Sequence, residues 1–395
     1  MKSEQRWRCS IIFAAMKITL LEFLKINWPL YLFFFFCLVS FLQLCYSLFF
    51  FARLAFYKRK KSAQSQTHPV SVVICARDEA ANIARNLPGV LIQEYPTTHE
   101  VIVVNDNSYD DSKYVLEELQ RSYKQLSTIE LTQEAKLIPG KKFPLAVGIK
   151  SAKHEIVLLT DADCVPASEH WIQSMQSTYN DDTEIVLGYG AYHKQKGFLN
   201  KLIRWETFLT ALQYLSYALA RIPYMGVGRN LSYKKTIFYR HKGFSSHNNI
   251  PGGDDDLFIN MAANGKNTRI NIEKEAFTLS KAPKSWKQWM RQKQRHYSTG
   301  KYYKGKHKFL LGLFSASQFL FYPLLICTCI FYQWPLAIMI WGGRMIIQFF
   351  IYARVMIKLN EKDLIPFLLF FDVWMFFYYL LFIPSLIRKP RPSWR

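Results

Sequence analysis

Hydrophobic positions in this chain follow two regimes. From Trp28 to Phe56, and again over about Phe309–Tyr332, Trp334–Ile357 and Leu364–Ile387, they run almost unbroken, each stretch long enough to cross a bilayer core as a helix. Between the first stretch and the other three, apolar residues come in short runs separated by helical periodicity. Val70–Cys75, Glu100–Asn105, Ser127–Leu131 and Glu155–Thr160 read as strands, and Ala80–Val90, Ser112–Gln125 and about Gly140–Lys153 as the helices between them. This alternation predicts an α/β fold, a doubly wound and mostly parallel sheet, with one N-terminal and about three C-terminal transmembrane helices. Ligands bind such sheets at the carboxyl ends of the strands, and the polar residues here gather at those ends. Further on, Asn200–Ala220 predicts a helix rich in aromatics and Leu. Gly252–Ile259 leads into a helix ending at Gly265, and Trp286–Tyr303 reads as an amphipathic interfacial helix.

Charge refines the membrane reading. The first apolar stretch is too long for a signal peptide and runs into Lys58-Arg59-Lys60-Lys61 instead of a small-residue cleavage site. That basic cluster predicts that the C-terminal end of the first span, and the region after it, face the cytoplasm of a cell membrane. The expected divisions are an N-terminal segment 1–27, a transmembrane helix 28–57, a cytoplasmic domain 62–285, an interfacial segment 286–308, a transmembrane region 309–387 and a basic tail 388–395. Met16 offers a second start. The net charge of +22 tracks membrane-adjacent segments and no nucleic-acid motif accompanies it, so membrane lipids, not nucleic acid, are the expected partner. The seven cysteines show neither a zinc spacing nor a disulfide framework.

Two acidic groups carry the candidate chemistry. The run Val157-Leu-Leu-Thr-Asp161-Ala-Asp163-Cys-Val-Pro166 reads as a strand ending in two carboxylates that alternation points the same way, with Pro166 stopping the strand. Two hard oxygen donors suit a divalent metal, Mg²⁺ or Mn²⁺, that also binds a diphosphate. The second group, Asp254-Asp255-Asp256, stands at a helix N-terminus, where the dipole favours anions and mutual repulsion raises proton affinity, as a general base requires.

The order of motifs resembles the membrane-bound family 2 glycosyltransferases, which share the GT-A nucleotide-sugar fold with cellulose, chitin and hyaluronan synthases. Val70-Ser-Val-Val-Ile-Cys-Ala76-Arg77-Asp78-Glu79 is similar to that family's V-x-V-x-I-x-A-x-N-E, with Asp78 in place of Asn. Asn105-Asp106-Asn107-Ser108-Tyr109-Asp110 is similar to D-D-G-S-x-D, and Gly140-Lys141-Lys142 opens a G-K-x-x-A-L-N-x-G element. Gly253-Asp254-Asp255-Asp256-Leu257 resembles E-D-x-D-L with Gly253 at the Glu position, and Gln292-Lys-Gln-Arg295-His296 resembles Q-x-x-R-W with His296 at the Trp. The resemblance implies that Ala76, Glu79, Asp106, Lys141, Asp161, Gln292 and Arg295 bind the nucleotide sugar and that Asp161 and Asp163 hold the metal. It also implies that Asp254, or Asp255 if the alignment slips by one, is the base, with Arg295 facing the diphosphate. The implied activity is inverting transfer of a sugar from a nucleoside diphosphate to the hydroxyl of a lipid-linked or glycan acceptor, in polysaccharide or cell-envelope synthesis. The alternatives are a polyprenyl-phosphate glycosyltransferase and a non-catalytic glycan-binding membrane subunit. His296 in place of the indole implies one or few sugars added per encounter.

Overall fold

The computed structural model describes residues 27–59, 68–132 and 140–387, with side chains to 382. Met16, Lys60, Lys61 and the basic tail lie outside the described residues. Four parallel strands form the centre of the sheet: β1 (Val70–Ala76), β2 (His99–Asp106), β3 (Leu126–Leu131) and β4 (Ile156–Asp161). The sheet continues through β6 (Ile185–Leu187), β8 (Leu231–Lys234) and β9 (Thr268–Ile270), in the order β3-β2-β1-β4-β8-β6-β9, with β8 antiparallel to both its neighbours. Beside it β5 (Cys164–Pro166), β10 (Thr278–Ser280) and β7 (Gly190–Tyr192) make a small second sheet. The reading of a mostly parallel α/β sheet holds; the antiparallel β8 was not foreseen, because Leu231–Lys234 is a single turn-length run within a Gly-rich loop.

Alternation sets which helix packs where. In β1 and β2, Val70, Val72, Ile74, Val101 and Val103 point to one face and meet Ile83, Leu87 and Val90 of the helix Ala80–Leu91 and Leu116 of Ser112–Ser122. Val73, Cys75, Ile102 and Val104 point to the other and meet Leu145 and Ile149 of the helix Lys142–Ser151. Both faces are covered, which is why these strands read as continuous apolar runs.

On that second face lies the helix Phe198–Leu219, apolar almost all round because it is sandwiched between the sheet and the apolar helices. Trp205 stacks on Phe371 with ring centroids 4.8 Å apart. Among the described residues, four helices are long and apolar enough to cross a membrane: Asn27–Ala55, Gly305–Phe331, Trp334–Lys358 and Lys362–Phe382, the first interrupted by a π-helical turn over Tyr46–Phe51. The helix Trp286–Gly300, expected at the membrane interface, starts at Ser285, whose hydroxyl accepts the Gln288 N–H (3.3 Å), and ends before the apolar helix Gly305–Phe331.

Candidate active site

The turns after β1 and β2 are laced together. Ala76 pairs with Asn105, so Arg77 and Asp106 continue from the same edge of the sheet. The Asp78 N–H donates to Ser108 Oγ (2.9 Å) and the Tyr109 N–H to Asp78 Oδ1 (2.7 Å). The Glu79 N–H donates to Ser112 Oγ (3.1 Å) and the Ala80 N–H to Asp110 Oδ2 (2.9 Å). Asp78 has φ +51°, a left-handed conformation that Asn and Asp tolerate best among residues with a side chain, so Asp replaces Asn there without a change in backbone. Asp106 is fully buried at the end of its strand.

The two carboxylates expected to hold a metal are not both on a strand. β4 ends at Asp161, Ala162 and Asp163 form a turn, and Pro166 terminates the next short strand, β5. The turn, not side-chain alternation, brings them together: Asp161, Asp163 and Cys164 offer ligand atoms within 4.8 Å of one another. Lys141 Nζ forms an ion pair with Asp161. Burial pushes the Asp161 carboxyl up, but Lys141, and then Arg229 and Arg295, outweigh it and hold the group below the ordinary range. Asp163 goes the other way, raised first by burial and then by the charge of Asp161. Burial, with the two carboxylates next, raises the Cys164 thiol, leaving two hard oxygens as the donor set. That set fits Mg²⁺ or Mn²⁺ better than a thiolate-seeking metal.

The three successive aspartates divide their work. Asp256 Oδ2 accepts from the hydroxyls of Thr299 and Tyr303 (2.8 Å for the latter), and its Oδ1 from the Leu257 N–H (2.8 Å). Asp255 accepts the N–H of Gly228 at 2.7 Å and of Asp256 at 2.7 Å; burial, then its two acidic neighbours, push its carboxyl up to about 8. Asp254 has no hydrogen-bond partner among the described residues, and its charge acts on Lys141 and Lys142. Gly253, where the family motif has Glu, sits at φ +86°, and a Cβ there would lie 2.5 Å from Leu257 Cδ1. A side chain at that position would be strained and would have to displace Leu257.

Residues from distant segments therefore converge at the end of β1. The buried Cys75 thiol, raised to about 12 chiefly by burial, feels Lys141, Asp254, Asp161 and Asp106 together. The helix Trp286–Gly300 closes the far side: Gln292 Nε2 donates to the Tyr192 hydroxyl (3.1 Å), and Arg295 acts electrostatically on Asp161. His296 is exposed, and the surrounding protein and then Lys293, Arg295 and Arg229 shift its imidazole below the usual range. The Glu79 carboxylate accepts from Asn82 Nδ2, one helical turn on. Sequence reasoning missed Arg229 and Tyr192, and the ties from Thr299 and Tyr303 to Asp256. The Gly226–Asn230 run was legible as a loop, but nothing in it reveals that the charge of its Arg acts on Asp161 and Asp163.

Such a cleft at the carboxyl end of a parallel sheet is that of the GT-A nucleotide-sugar fold. A solved mannosyltransferase from Pyrobaculum calidifontis, PcManGT, in complex with GDP-Man and Mn²⁺, superposes with a TM-score of 0.54 over 87% of this chain and 98% of that one, at 16% identity. Residues 71–246 match the family described as Glycosyl transferase family 2. The chain carries a family 2 glycosyltransferase domain. It is 25% identical over 236 residues to a probable glycosyltransferase, YdaM, of Bacillus subtilis (strain 168), covering 57% of this chain and 54% of that protein. It is 32% identical over 120 residues to a beta-monoglucosyldiacylglycerol synthase of Nostoc sp. (strain PCC 7120), covering 30% of this chain and 25% of the relative. The chain thus spans about half, or less, of these relatives.

Proposed function

We propose that this protein is an inverting glycosyltransferase, moving a sugar from a nucleoside diphosphate donor to an acceptor hydroxyl at a cell membrane. The observation that carries this reading is the division among the three aspartates: two are bound by neighbours, and Asp254 alone keeps its carboxylate for a substrate beside the Lys141–Asp161 pair. In this reading the acceptor oxygen attacks the anomeric carbon as its proton passes to Asp254. The bond from that carbon to the phosphate oxygen breaks, and the electron pair leaves with the nucleoside diphosphate. Attack opposite the leaving group inverts the anomeric centre. Glu79, Asp106 and Ala76 line the nucleoside end, and Lys141 and Arg295 offset charge on the diphosphate. Asp161 and Asp163 would hold Mg²⁺ or Mn²⁺, which when bound supplies Lewis-acid stabilisation of the leaving group.

A lipid-linked or glycan acceptor accords with the four apolar helices and with the relative named for diacylglycerol glucosylation. The catalytic domain faces the cytoplasm in this reading, and His296 offers the acceptor a smaller face than an indole, consistent with short products. The test is a panel of nucleotide sugars given to the purified protein in detergent, following nucleoside diphosphate release with Mg²⁺ or Mn²⁺. Turnover with at least one donor, abolished by chelator and by Asp163→Ala, is expected. Full activity in excess chelator overturns the metal assignment, and no turnover with any donor and acceptor extract overturns the enzyme reading.

A further inference from the structure

The loop Gly226–Asn230 is held from several sides and presents a cation that makes no direct ion pair among the described residues. The Arg229 carbonyl accepts hydrogen bonds from the hydroxyls of Thr160 on β4 and Thr278 on β10, each at 2.9 Å. The preceding N–H, of Gly228, is held by Asp255 at 2.7 Å, and a Cβ at Gly228 would come within 3.3 Å of that carboxylate. The following side chain, Asn230, donates to the carbonyls of Tyr189 (3.0 Å) and Ala276 (2.6 Å) and accepts the Trp171 indole N–H (3.1 Å). One short backbone thus joins β4, the second sheet and the acid cluster.

The guanidinium is oriented as firmly. Nη1 donates to Ser280 Oγ at 3.0 Å, and the group lies 4.4 Å over the Tyr192 ring, whose hydroxyl is engaged with Gln292. Among the described residues no carboxylate lies within 4.0 Å of it. Its charge nevertheless acts on Asp161, Asp163 and His296, so it stands between those two carboxylates and the helix Trp286–Gly300. With Nη1 on Ser280 and the ring of Tyr192 beneath it, the half-buried guanidinium is oriented without a direct ion pair among the described residues. The planar fork of Arg matches a phosphate, and stacking on Tyr192 fixes its plane beforehand.

We propose that Arg229 binds the sugar-linked phosphate of the donor and stabilises that phosphate as it leaves. The inference rests on the reading of this cleft as a nucleotide-sugar site. As the bond between the anomeric carbon and the phosphate oxygen breaks, its electron pair stays on that oxygen, the distal phosphate of the product; the acceptor's proton is on Asp254. A group contacting the distal phosphate discriminates nucleoside diphosphate from monophosphate, and the two affinities separate its role from a structural one.

The experiment measures binding of UDP, GDP, UMP and GMP to the full-length protein in detergent with Mn²⁺, by calorimetry. Wild type binds one diphosphate more tightly than its monophosphate. Arg229→Gln is expected to weaken the diphosphate about 10- to 100-fold and leave the monophosphate within about twofold, and Arg229→Lys to fall between. Ser280→Ala, which removes the orienting hydroxyl but keeps the charge, is expected to give a smaller loss of the same kind. Equal losses for diphosphate and monophosphate, or none for either, overturn the proposal. Failure of wild type to bind any diphosphate overturns the nucleotide-sugar reading itself, a distinct result.

Discussion

Asp254, Asp255 and Asp256 have one chemistry and differ in what their oxygens already hold. Two of the three are occupied, so Asp254→Asn is expected to keep near-wild-type donor affinity and lose on the order of 10²–10⁴ in turnover, measured as kcat against donor Kd. The same loss from Asp255→Asn with Asp254→Asn active would move the base by one residue. Asp255 also makes a pH prediction. Its carboxyl, raised to about 8 by burial and then by its acidic neighbours, favours the protonated form in the folded state. The resulting stability is fully present below the ordinary Asp value of about 4 and is lost as pH rises through about 8. Thermal unfolding in detergent should therefore show a midpoint that declines from pH 5 to 8 in wild type, and Asp255→Asn should flatten that decline. An equal slope in both proteins rejects the assignment. At this scale the sequence was informative where chemistry is local: the acids after β4 and before Leu257 are recognisable as carboxylate clusters. What it hid was occupancy, because Gly228, Thr299 and Tyr303 are far from the aspartates in the chain.

The helix Trp286–Gly300 shows why an element can be read while its anchoring cannot. Its spacing marks an amphipathic helix, but the residues that face inward are Trp289, Lys293 and Tyr297, four apart, and one of them is charged. Lys293 is buried and pairs with Glu206 of Phe198–Leu219, each side chain 9% exposed. Trp289 packs on Tyr378 and Phe382, and Tyr297 donates to the Tyr378 hydroxyl at 2.7 Å. A surface lysine and a core lysine look alike in sequence; only the opposing Glu206 turns this one inward. Because Gln292 and Arg295 flank Lys293 on the cleft side, the pair fixes their position, and small misplacements of catalytic groups cost rate steeply. Glu206→Ala is expected to lower kcat by about 10- to 100-fold with donor Kd within about twofold. Adding Lys293→Met should recover most of that rate, since the uncompensated buried charge is then gone. Additive losses in the double variant, measured as a double-mutant cycle, reject the coupling.

The apolar helices were the plainest feature of the sequence, and their charged residues the least interpretable. Arg344 lies mid-way along its stretch and Asp372 is the one acid of the next, and they meet in the middle of the bundle with side chains 1% exposed. Arg344 Nη1 and Nη2 reach the two Asp372 oxygens at 2.7 and 2.8 Å, Gln348 Nε2 donates to Oδ1 at 2.7 Å, and the Tyr322 hydroxyl donates to Oδ2. Arg344 Nε donates to Gln43 of the first helix, whose own amide reaches the Ser317 carbonyl of the second at 2.8 Å. All four apolar helices thus contribute to one fully satisfied polar centre. The same bundle carries the catalytic domain, for Arg204 binds Glu361 and Asp363 in the connection between the last two helices, and Glu361 also takes the hydroxyl of Tyr189 at 3.1 Å, three residues before Tyr192 in the cleft. Ionisable groups among apolar helices are expensive unless paired. Asp372→Leu leaves the Arg344 charge without its partner and is expected to destabilise the protein by about 3–5 kcal/mol. Replacing both, as Arg344→Met with Asp372→Leu, should restore most of the thermal midpoint in mild detergent, because a neutral apolar pair leaves no buried charge. If the pair acts by holding the bundle, turnover per folded molecule in the double variant stays within about twofold of wild type. A double variant that regains stability but remains inactive would show that the ion pair serves the reaction directly.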